Sequence, residues 1–276
     1  MMQAMIFAAG MGTRLKPLTD TMPKALVRVG GETLIKRVIM NLAAAGVDHI
    51  VVNVHHFSQQ IIDYLKANDN FGIDIKISDE TENLLDTGGG LRRAAGLFHK
   101  NYPILIHNVD ILSNVDLHKF YTLDPKVNCP DCGIPHQKAG AQVLVSWRKT
   151  KRYLVFNDMM RLVGWVNIET GEAKSPYEDV KAALRREHYP IKATDKPLTI
   201  NGLRLFAFSG IHLVYPELFT YMVGEPDKFP IVDFYLSVCH RVPIKGYLKT
   251  DLKLMDVGKL DTLQEAESFL KELSEQ

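Results

Sequence analysis

Cysteine is scarce in this sequence, which has three such residues among 276. Three cysteines do not make a disulfide framework, which agrees with a reducing compartment. Long hydrophobic runs are also missing, because no apolar stretch approaches the roughly 18 residues of a membrane-spanning helix. The N-terminus lacks the basic flank, apolar core and cleavage site of a signal peptide. We therefore expect a cytoplasmic protein with no membrane partner.

An excess of charge of one sign is absent as well. Lys and Arg together number 33, Asp and Glu together number 32, and the formal net charge is +1. A surface so balanced has no overall field to attract nucleic acid or an anionic membrane, so any attraction for phosphate must be local. The composition, 46% hydrophobic and 24% charged, is ordinary for a globular protein with a substantial core.

The stretch from residue 5 to residue 26, MIFAAGMGTRLKPLTDTMPKAL, is the most informative part of the sequence. A short apolar run, long enough for one buried strand, ends at Gly10 and Gly12, whose backbone N–H groups can approach an anion closely. Arg14 adds a planar set of donors that suits phosphate oxygens, and Lys24 adds a more mobile positive charge. The stretch predicts a strand that ends in a phosphate-binding loop.

Two well-known phosphate-binding signatures do not fit this stretch. The dinucleotide-binding fingerprint requires a third glycine where this chain has Leu15, and no Gly-Lys-Ser/Thr is present for a P-loop. A Rossmann dehydrogenase and a P-loop kinase are therefore disfavoured. A lone Gly-x-Gly, taken by itself, is more typical of a tight turn between a strand and a helix.

Strand-like and helix-like segments alternate through the first 110 residues. Apolar runs predict further strands at residues 50–54, 73–77 and 104–107. Apolar stripes at helical spacing predict helices capped by Thr33 and by Ser58, and another after the glycines at 88–90. This alternation favours an α/β fold with a mostly parallel sheet and helices on both faces. Ligands of such sheets bind at the carboxyl ends of the strands, where Gly10, the 85–90 segment and Asp110 should meet.

The second half of the sequence is less regular. Strand-like runs lie at residues 141–147, 153–156, 162–167 and 205–214. An amphipathic helix is expected from Lys259 onward. The composition of segment 124–140 predicts a surface insertion. Cys129 and Cys132 in this segment could be two ligands of a zinc ion, but no second cysteine pair follows, and His136 and Cys239 are poor candidates for the remaining ligands. We expect one domain over residues 1–276, made of a nucleotide-binding half (1–110), a second half (111–258) and the terminal helix (259–276).

The whole opening string, AAGMGTRLKPLT followed by PKAL and GETLI, resembles the signature of the sugar-1-phosphate nucleotidyltransferases. These enzymes join a nucleoside triphosphate to a sugar-1-phosphate and release pyrophosphate. The resemblance implies a Rossmann-like three-layer α/β/α fold with smaller antiparallel insertions. It also implies catalytic roles for Arg14, Lys24 and Asp110. The nucleotide-binding residues that it implies are Ala8, Ala9, Gly10, Gly12, Thr13, Arg14, Thr87 and Gly88.

Two aspartates match the residues that bind the catalytic metal in this family. Asp110 follows the apolar run ILIHNV, and Asp256 stands in LMDVG shortly before the last helix. A single aspartate at the end of a strand is more often a turn or capping residue, but the pair implies a Mg²⁺ site. Magnesium is commonly held by one or two carboxylates together with water and substrate phosphates. Val109 replaces the glycine that is common before the first aspartate.

The base and the sugar are indicated less strongly. The segment LLDTGGG, from residue 84 to residue 90, resembles the loop that closes over the nucleobase in this family. It is similar to that loop in the N-acetylmuramate-1-phosphate uridylyltransferase branch, which favours UTP over the GTP of mannose-1-phosphate guanylyltransferases. The usual Glu-Lys-Pro on the sugar side is absent. The half over residues 111–258 is expected to bind the sugar phosphate, which should contact Lys24, Asn157, Ser209 and Gly210. Two alternatives remain, namely a catalytically silent nucleotide-sugar sensor and a cytidylyltransferase acting on another alcohol phosphate.

Overall fold

The computed structural model describes residues 1–127 and 137–274. The strands, in chain order, are β1 (Gln3–Phe7), β2 (Arg28–Val29), β3 (Glu32–Thr33), β4 (His49–Val54), β5 (Asp74–Asp79), β6 (Ile104–Asn108), β7 (Ile111–Ser113), β8 (Lys126–Val127), β9 (Gln137–Lys138), β10 (Ala141–Ser146), β11 (Arg152–Phe156), β12 (Leu162–Asn167), β13 (Ala173–Lys174), β14 (Leu198–Ile200), β15 (Leu203–Val214), β16 (Ile244–Leu248) and β17 (Leu254–Asp256). The α-helices are α1 (Leu34–Ala44), α2 (Ser58–Ala67), α3 (Asp86–Ala94), α4 (Leu117–Tyr121), α5 (Glu178–Arg185), α6 (Ile231–Val238) and α7 (Leu260–Ser274). None of the helices in these two ranges has both the length and the apolar character needed to cross a membrane.

The chain forms two compact units. Unit 1 is built from the described residues of Met1–Leu123, Pro226–Phe229 and Leu252–Gln276, and unit 2 from those of Asp124–Glu225 and Pro230–Asp251. The short piece Pro226–Phe229 thus belongs to unit 1 although its sequence neighbours on both sides belong to unit 2. The single domain expected over 1–276 stays a prediction.

Unit 1 contains a parallel sheet in the order β6-β1-β4-β5. Phe7 at the end of β1 stands opposite Asn53 of β4 on one side and Asn108 of β6 on the other. The three strands therefore end at the same level, because parallel strands in this register point their carboxyl ends to one edge. Strands β1, β4 and β6 are buried along almost their full length, as expected for a sheet covered on both faces. The α/β fold predicted from the sequence is confirmed.

The helices of unit 1 follow the apolar periodicity of their sequences. Thr33 caps α1 as predicted, because its hydroxyl accepts a hydrogen bond from the N–H of Lys36 at 3.3 Å. Ser58 is the first residue of α2 rather than its cap, and Phe57 holds the capping position with a left-handed φ of 53°. The hydroxyl of Ser58 instead accepts a hydrogen bond from Thr81 at 3.0 Å. The prediction that Ser58 caps α2 was wrong, because its hydroxyl oxygen makes a tertiary hydrogen bond instead of a capping one.

Unit 2 contains a mixed sheet, in which β15 pairs antiparallel with β10, β11 and β14, and β10 pairs parallel with β16. Strands β11 and β12 form an antiparallel pair, which β13 extends. Alternate residues of these strands and one face of α5 make a common apolar core: Tyr153, Val155, Val163, Val166, Ile168, Val180, Leu184, Ile200 and Leu205. The irregular second half of the sequence is thus held by its own buried cluster.

Candidate active site

A loop follows β1 where the sequence predicts a phosphate-binding loop, and we call its residues Gly10–Arg14 the glycine loop. Gly12 adopts a φ of +62°, and a Cβ on it would lie 2.9 Å from Cγ2 of Thr19. Both the backbone conformation and the space therefore favour glycine at this position. The carbonyl of Gly12 accepts hydrogen bonds from the N–H of Leu15 and the hydroxyl of Thr19, each at 2.8 Å. Gly10 is exposed, with nothing within 4 Å of where its Cβ would be.

The remaining residues predicted for the loop occupy its two sides. Ala8 and Ala9 are buried, whereas Thr13 and Arg14 are exposed. Because Gly10 is open and Arg14 is exposed, an anion at the loop could reach both backbone donors and a guanidinium.

Lys24 lies at the carboxyl edge of the sheet in unit 1 and is only 8% exposed. Its ammonium group forms an ion pair with Oδ2 of Asp110. Asp110 follows β6, and Val109 between them is buried, with its N–H donating to the carbonyl of Phe7 at 3.2 Å. Val109 is therefore accommodated where the resemblance implies a glycine, and the carboxylate of Asp110 still reaches the edge of the sheet.

The two predicted metal ligands lie side by side, although 146 positions separate them in the sequence. Strand β17 pairs antiparallel with β7, so that Asp256 stands opposite Ile111. The N–H of Val257 donates to the carbonyl of Asp110 at 2.8 Å. Asp256 as a residue is exposed, but its carboxyl group is partly removed from water by protein atoms. This desolvation, followed by the negative charge of Asp110, raises the pKa of Asp256, against the opposing effect of Lys24 and Arg14.

Arg14 joins this cluster through Gly258. A Cβ on Gly258 would lie 2.8 Å from Nη2 of Arg14 and 2.6 Å from Oδ1 of Asp256. The absence of a side chain at position 258 therefore lets the guanidinium and the carboxylate approach each other. The structure thus brings together Arg14, Lys24, Asp110 and Asp256, the four charged residues expected to perform the chemistry.

A cavity of about 320 Å³ opens beside this cluster. Its walls include the glycine loop at Gly10 and the Lys24–Asp110 pair, together with Asp86 and Thr87 at the start of α3. The remaining lining residues are Phe7, Ala8, Ala9, Asn53, Glu80, Leu84, Asn108, Val109 and Lys228. The volume is within the range typical of small-ligand sites, and a few polar groups converge on it.

Asn53 and Glu80 were not predicted as site residues, yet their hydrogen bonds connect the end of β1 to the segment before α3. Asn53 accepts a hydrogen bond from the N–H of Ala8 at 2.8 Å and donates to Oε1 of Glu80 at 2.7 Å. Oε2 of Glu80 accepts one from the N–H of Leu85 at 3.2 Å. Burial raises the pKa of Glu80, and these hydrogen bonds oppose the shift. The sequence signal was an asparagine inside the otherwise apolar strand IVVNV.

The three glycines of α3 serve close packing. The N–H groups of Gly88 and Gly89 donate to the carbonyl of Phe229 at 2.8 and 3.2 Å. A Cβ on Gly90 would lie 2.6 Å from Oε1 of Glu80. Thr87 lines the cavity, as a nucleotide-binding residue would, whereas the N–H of Gly88 already has a protein partner. The nucleotide-binding roles of Thr87 and Gly88 stay predictions.

Of the residues expected to contact the sugar phosphate, Lys24 lies in unit 1, and Asn157, Ser209 and Gly210 lie in unit 2. Oδ1 of Asn157 accepts hydrogen bonds from the N–H groups of Met159 and Arg161 at 3.1 and 2.9 Å, which closes the turn between β11 and β12. Ser209 is 2% exposed, and its hydroxyl accepts a hydrogen bond from the N–H of Ile211 at 3.1 Å. Gly210 has a φ of +77°. Their contact with a sugar phosphate stays a prediction.

The carboxylate pair fits Mg²⁺ and not a metal that needs a complete protein cage. Within residues 1–127 and 137–274, no three His, Cys, Asp or Glu side chains come close enough together to hold a metal ion. Magnesium requires one or two carboxylates and takes its remaining oxygens from water and phosphate. Two adjacent carboxylates repel each other electrostatically, and a bound divalent cation offsets this repulsion. Asp110 and Asp256 could therefore hold Mg²⁺ when a nucleotide is bound.

Cys239, the cysteine that lies within the described residues, adds no second site. Cys239 is buried, and burial raises the pKa of its thiol to about 12, so it is not a reactive thiolate. Cys129, Cys132 and His136 lie outside the described residues.

Comparison with known proteins supports the resemblance drawn from the motifs. Residues 3–125 match the model of the nucleotidyl transferase family. An N-acetylmuramate alpha-1-phosphate uridylyltransferase of Caulobacter vibrioides is 44% identical over 109 residues, which are 39% of this chain and 45% of that protein. A mannose-1-phosphate guanyltransferase of Kluyveromyces lactis is 42% identical over 113 residues, 40% of this chain and 31% of that protein. The chain thus spans less than half the length of these relatives.

The similarity of fold extends over nearly the whole chain. The crystal structure of a putative glucose-1-phosphate thymidylyltransferase from Bacillus anthracis, in complex with sucrose, superposes with a TM-score of 0.69. The match covers 97% of this chain and 94% of that chain at 15% sequence identity. Residues 3–125 are therefore similar to the nucleotidyl transferase family, and nearly the whole chain shares its fold with that crystal structure.

Proposed function

We propose that this protein is a Mg²⁺-dependent sugar-1-phosphate nucleotidyltransferase, which joins a nucleoside triphosphate to a sugar-1-phosphate and releases pyrophosphate. The observation that carries the proposal is the cluster of Arg14, Lys24, Asp110 and Asp256 beside the cavity and the glycine loop. A nucleotide-binding protein without catalytic activity has no need for two adjacent carboxylates together with two cations at the phosphate end of its site.

In the proposed reaction, an oxygen of the sugar-1-phosphate attacks the α-phosphorus of the triphosphate in line. The new bond joins that oxygen to the α-phosphorus, and the bond to the β-phosphate oxygen breaks, so that pyrophosphate leaves with the electron pair. The nucleophile is already ionised, so no side chain has to remove a proton. Catalysis then depends on positioning and on charge stabilisation.

Each residue of the cluster has a separate role in this proposal. The N–H groups of the glycine loop bind phosphate oxygens, and Arg14 stabilises the negative charge that develops on the departing pyrophosphate. Lys24 binds phosphate oxygens next to them. Asp110 and Asp256 would hold Mg²⁺, which when bound supplies positive charge to the reacting phosphates.

UTP is the nucleotide that we favour. The uridylyltransferase of Caulobacter vibrioides is 44% identical to this chain over 109 residues, and the TGGG motif favours the same branch. The second candidate is GTP, because the guanyltransferase of Kluyveromyces lactis has almost the same identity over the same part of the chain. If UTP is the substrate, the product would be a nucleotide sugar that serves as a precursor of cell-wall polysaccharide. We propose that the reaction takes place in the cytoplasm.

One assay tests the proposal. Pyrophosphate release is measured with UTP, GTP, CTP and dTTP, each against a panel of sugar-1-phosphates, with and without Mg²⁺. We expect release with UTP and one sugar-1-phosphate, and none without the metal. Release with GTP and mannose-1-phosphate alone would select the second candidate. No release with any pair, combined with tight binding of a nucleotide sugar, would instead support a sensor.

A further inference from the structure

The segment Pro226–Phe229 is anchored against the start of α3 within unit 1. The carbonyl of Phe229 accepts hydrogen bonds from Gly88 and Gly89, and the N–H of Phe229 donates to the carbonyl of Leu85 at 3.2 Å. Phe229 itself is 5% exposed. These backbone hydrogen bonds attach the segment to the loop that is expected to close over the nucleobase.

Arg92 of α3 anchors the other end of the segment. Its Nη2 donates to the carbonyl of Pro226 and forms an ion pair with Asp227, both at 3.0 Å. Its guanidinium also lies over the ring of Phe229, 5.4 Å from the ring centroid. Lys228 therefore stands between two anchored neighbours, and its own side chain is exposed.

The position of Lys228 relative to the site follows from two neighbouring concavities. One is the cavity at the glycine loop, and the other is a groove of about 700 Å³ along residues 79–85 and α3. Lys228, Glu80 and Leu84 line both of them. None of the glycine loop, Lys24 or Asp110 lines the groove. Lys228 thus lies where the cavity adjoins the groove, next to the segment 84–90.

The charge of Lys228 is available to a ligand. Among the ion pairs of the described ranges 1–127 and 137–274, none involves Lys228, whereas Lys24 is paired with Asp110 and Arg92 with Asp227. An ammonium group has three hydrogen-bond donors and no acceptor. Next to a nucleobase, the ammonium group of a lysine can donate a hydrogen bond to a carbonyl oxygen. It cannot do so to an amino group of the base, which is itself a donor.

We propose that Lys228 contacts the nucleobase at C4 of a pyrimidine or C6 of a purine, and that it selects the bases with a carbonyl oxygen there, uracil or guanine, over those with an amino group there, cytosine or adenine. The inference rests on the proposed function and adds to it the class of nucleotide. Uracil O4 and guanine O6 are acceptors at the position where cytosine N4 and adenine N6 are donors. A lysine here is compatible with both nucleotide candidates and gives a reason for rejecting CTP and ATP.

The test compares Lys228→Met with Lys228→Arg and with the control Lys100→Met, which removes an exposed lysine of unit 1 that lines neither concavity. Dissociation constants for UTP, GTP, CTP and ATP are measured by calorimetry without sugar phosphate. Loss of a hydrogen bond to a charged group corresponds to roughly a tenfold to hundredfold change. We expect Lys228→Met to weaken binding of UTP or GTP, whichever the wild-type protein prefers, by at least about tenfold, and binding of CTP by much less. Lys228→Arg should retain the preference, and Lys100→Met should match the wild type.

The same variants separate failure of this inference from failure of the proposed function. If Lys228→Met weakened the binding of all four nucleotides equally, Lys228 would contact the phosphates and not the base. If it weakened the binding of none, Lys228 would not contact the nucleotide. Either result overturns the role of Lys228, even if the wild-type protein releases pyrophosphate normally. If the wild-type protein releases no pyrophosphate with any substrate pair, the proposed function fails, whichever nucleotides it binds.

Discussion

Replacement of Gly89 by alanine tests the packing on which the base end of the site depends. A Cβ at position 89 would overlap the backbone carbonyl oxygen of Asp227 and lie 3.1 Å from Cβ of Leu85. The oxygen belongs to the backbone, so no side-chain rotation can remove the overlap. The segment Pro226–Phe229 must therefore move away from α3.

The cost can be worked out from the interactions that this movement breaks. Overpacking of a well-packed site costs about 1–3 kcal/mol. The two hydrogen bonds from α3 to the carbonyl of Phe229 contribute about 1 kcal/mol each. Alanine gains about 1 kcal/mol over glycine through helix propensity. We therefore expect Gly89→Ala to lower the free energy of unfolding by about 2–4 kcal/mol.

Gly96→Ala is the matched control, because nothing lies within 4 Å of a Cβ at position 96 and its φ is not positive. This variant should be as stable as the wild type or more stable by up to about 1 kcal/mol. Urea unfolding followed by circular dichroism measures all three proteins. If Gly89→Ala were as stable as Gly96→Ala, Pro226–Phe229 would not be packed against α3, and the placement of Lys228 would lose its basis.

Two further predictions concern catalysis and acid stability. Arg14→Ala should lower turnover by roughly a hundredfold to a thousandfold, because it removes a donor to the departing pyrophosphate, with little change in melting temperature since Arg14 is exposed; turnover near that of the wild type would refute its role. Burial lowers the pKa of His212 to about 3 from a usual value of 6.5, so the unfolded state binds the additional proton between these pH values. Stability should therefore fall as the pH decreases from 6.5 towards 3, and His212→Gln should reduce that slope in urea unfolding; an unchanged slope would show that other groups cause it.

The sequence predicted best what depends on neighbouring residues. The apolar periodicity after Thr33 predicted α1 and its cap, and the run 162–167 has the same bounds as β12. Such elements can be predicted from the local sequence, because the spacing of the apolar residues on the buried face indicates a helix or a strand. The parallel arrangement of β1, β4 and β6 was predicted from the alternation of strands and helices, and it places Gly10 and Asp110 at one edge.

Tertiary contacts determined what the sequence did not predict. Helix α3 begins at Asp86 and includes the three glycines, because the carbonyl of Phe229, more than 130 residues away in the sequence, accepts its first N–H groups. Glu80 and Lys228 stand in segments without any motif, and their place in the site depends on which elements pack together. Asp256 was identified through a resemblance, and its contact with Asp110 depends on the pairing of β7 with β17.

The most direct test of the account is Mg²⁺-dependent pyrophosphate release by Asp110→Asn and Asp256→Asn, with Asp63→Asn on the exposed face of α2 as the control. Asparagine keeps the shape and removes the charge that would hold the metal, so each variant should lose several kcal/mol of transition-state stabilisation, a decrease of at least about a hundredfold. Asp63→Asn should match the wild type. Magnesium-dependent release at the wild-type rate in either Asp110→Asn or Asp256→Asn would contradict the assignment of the metal to this pair of carboxylates.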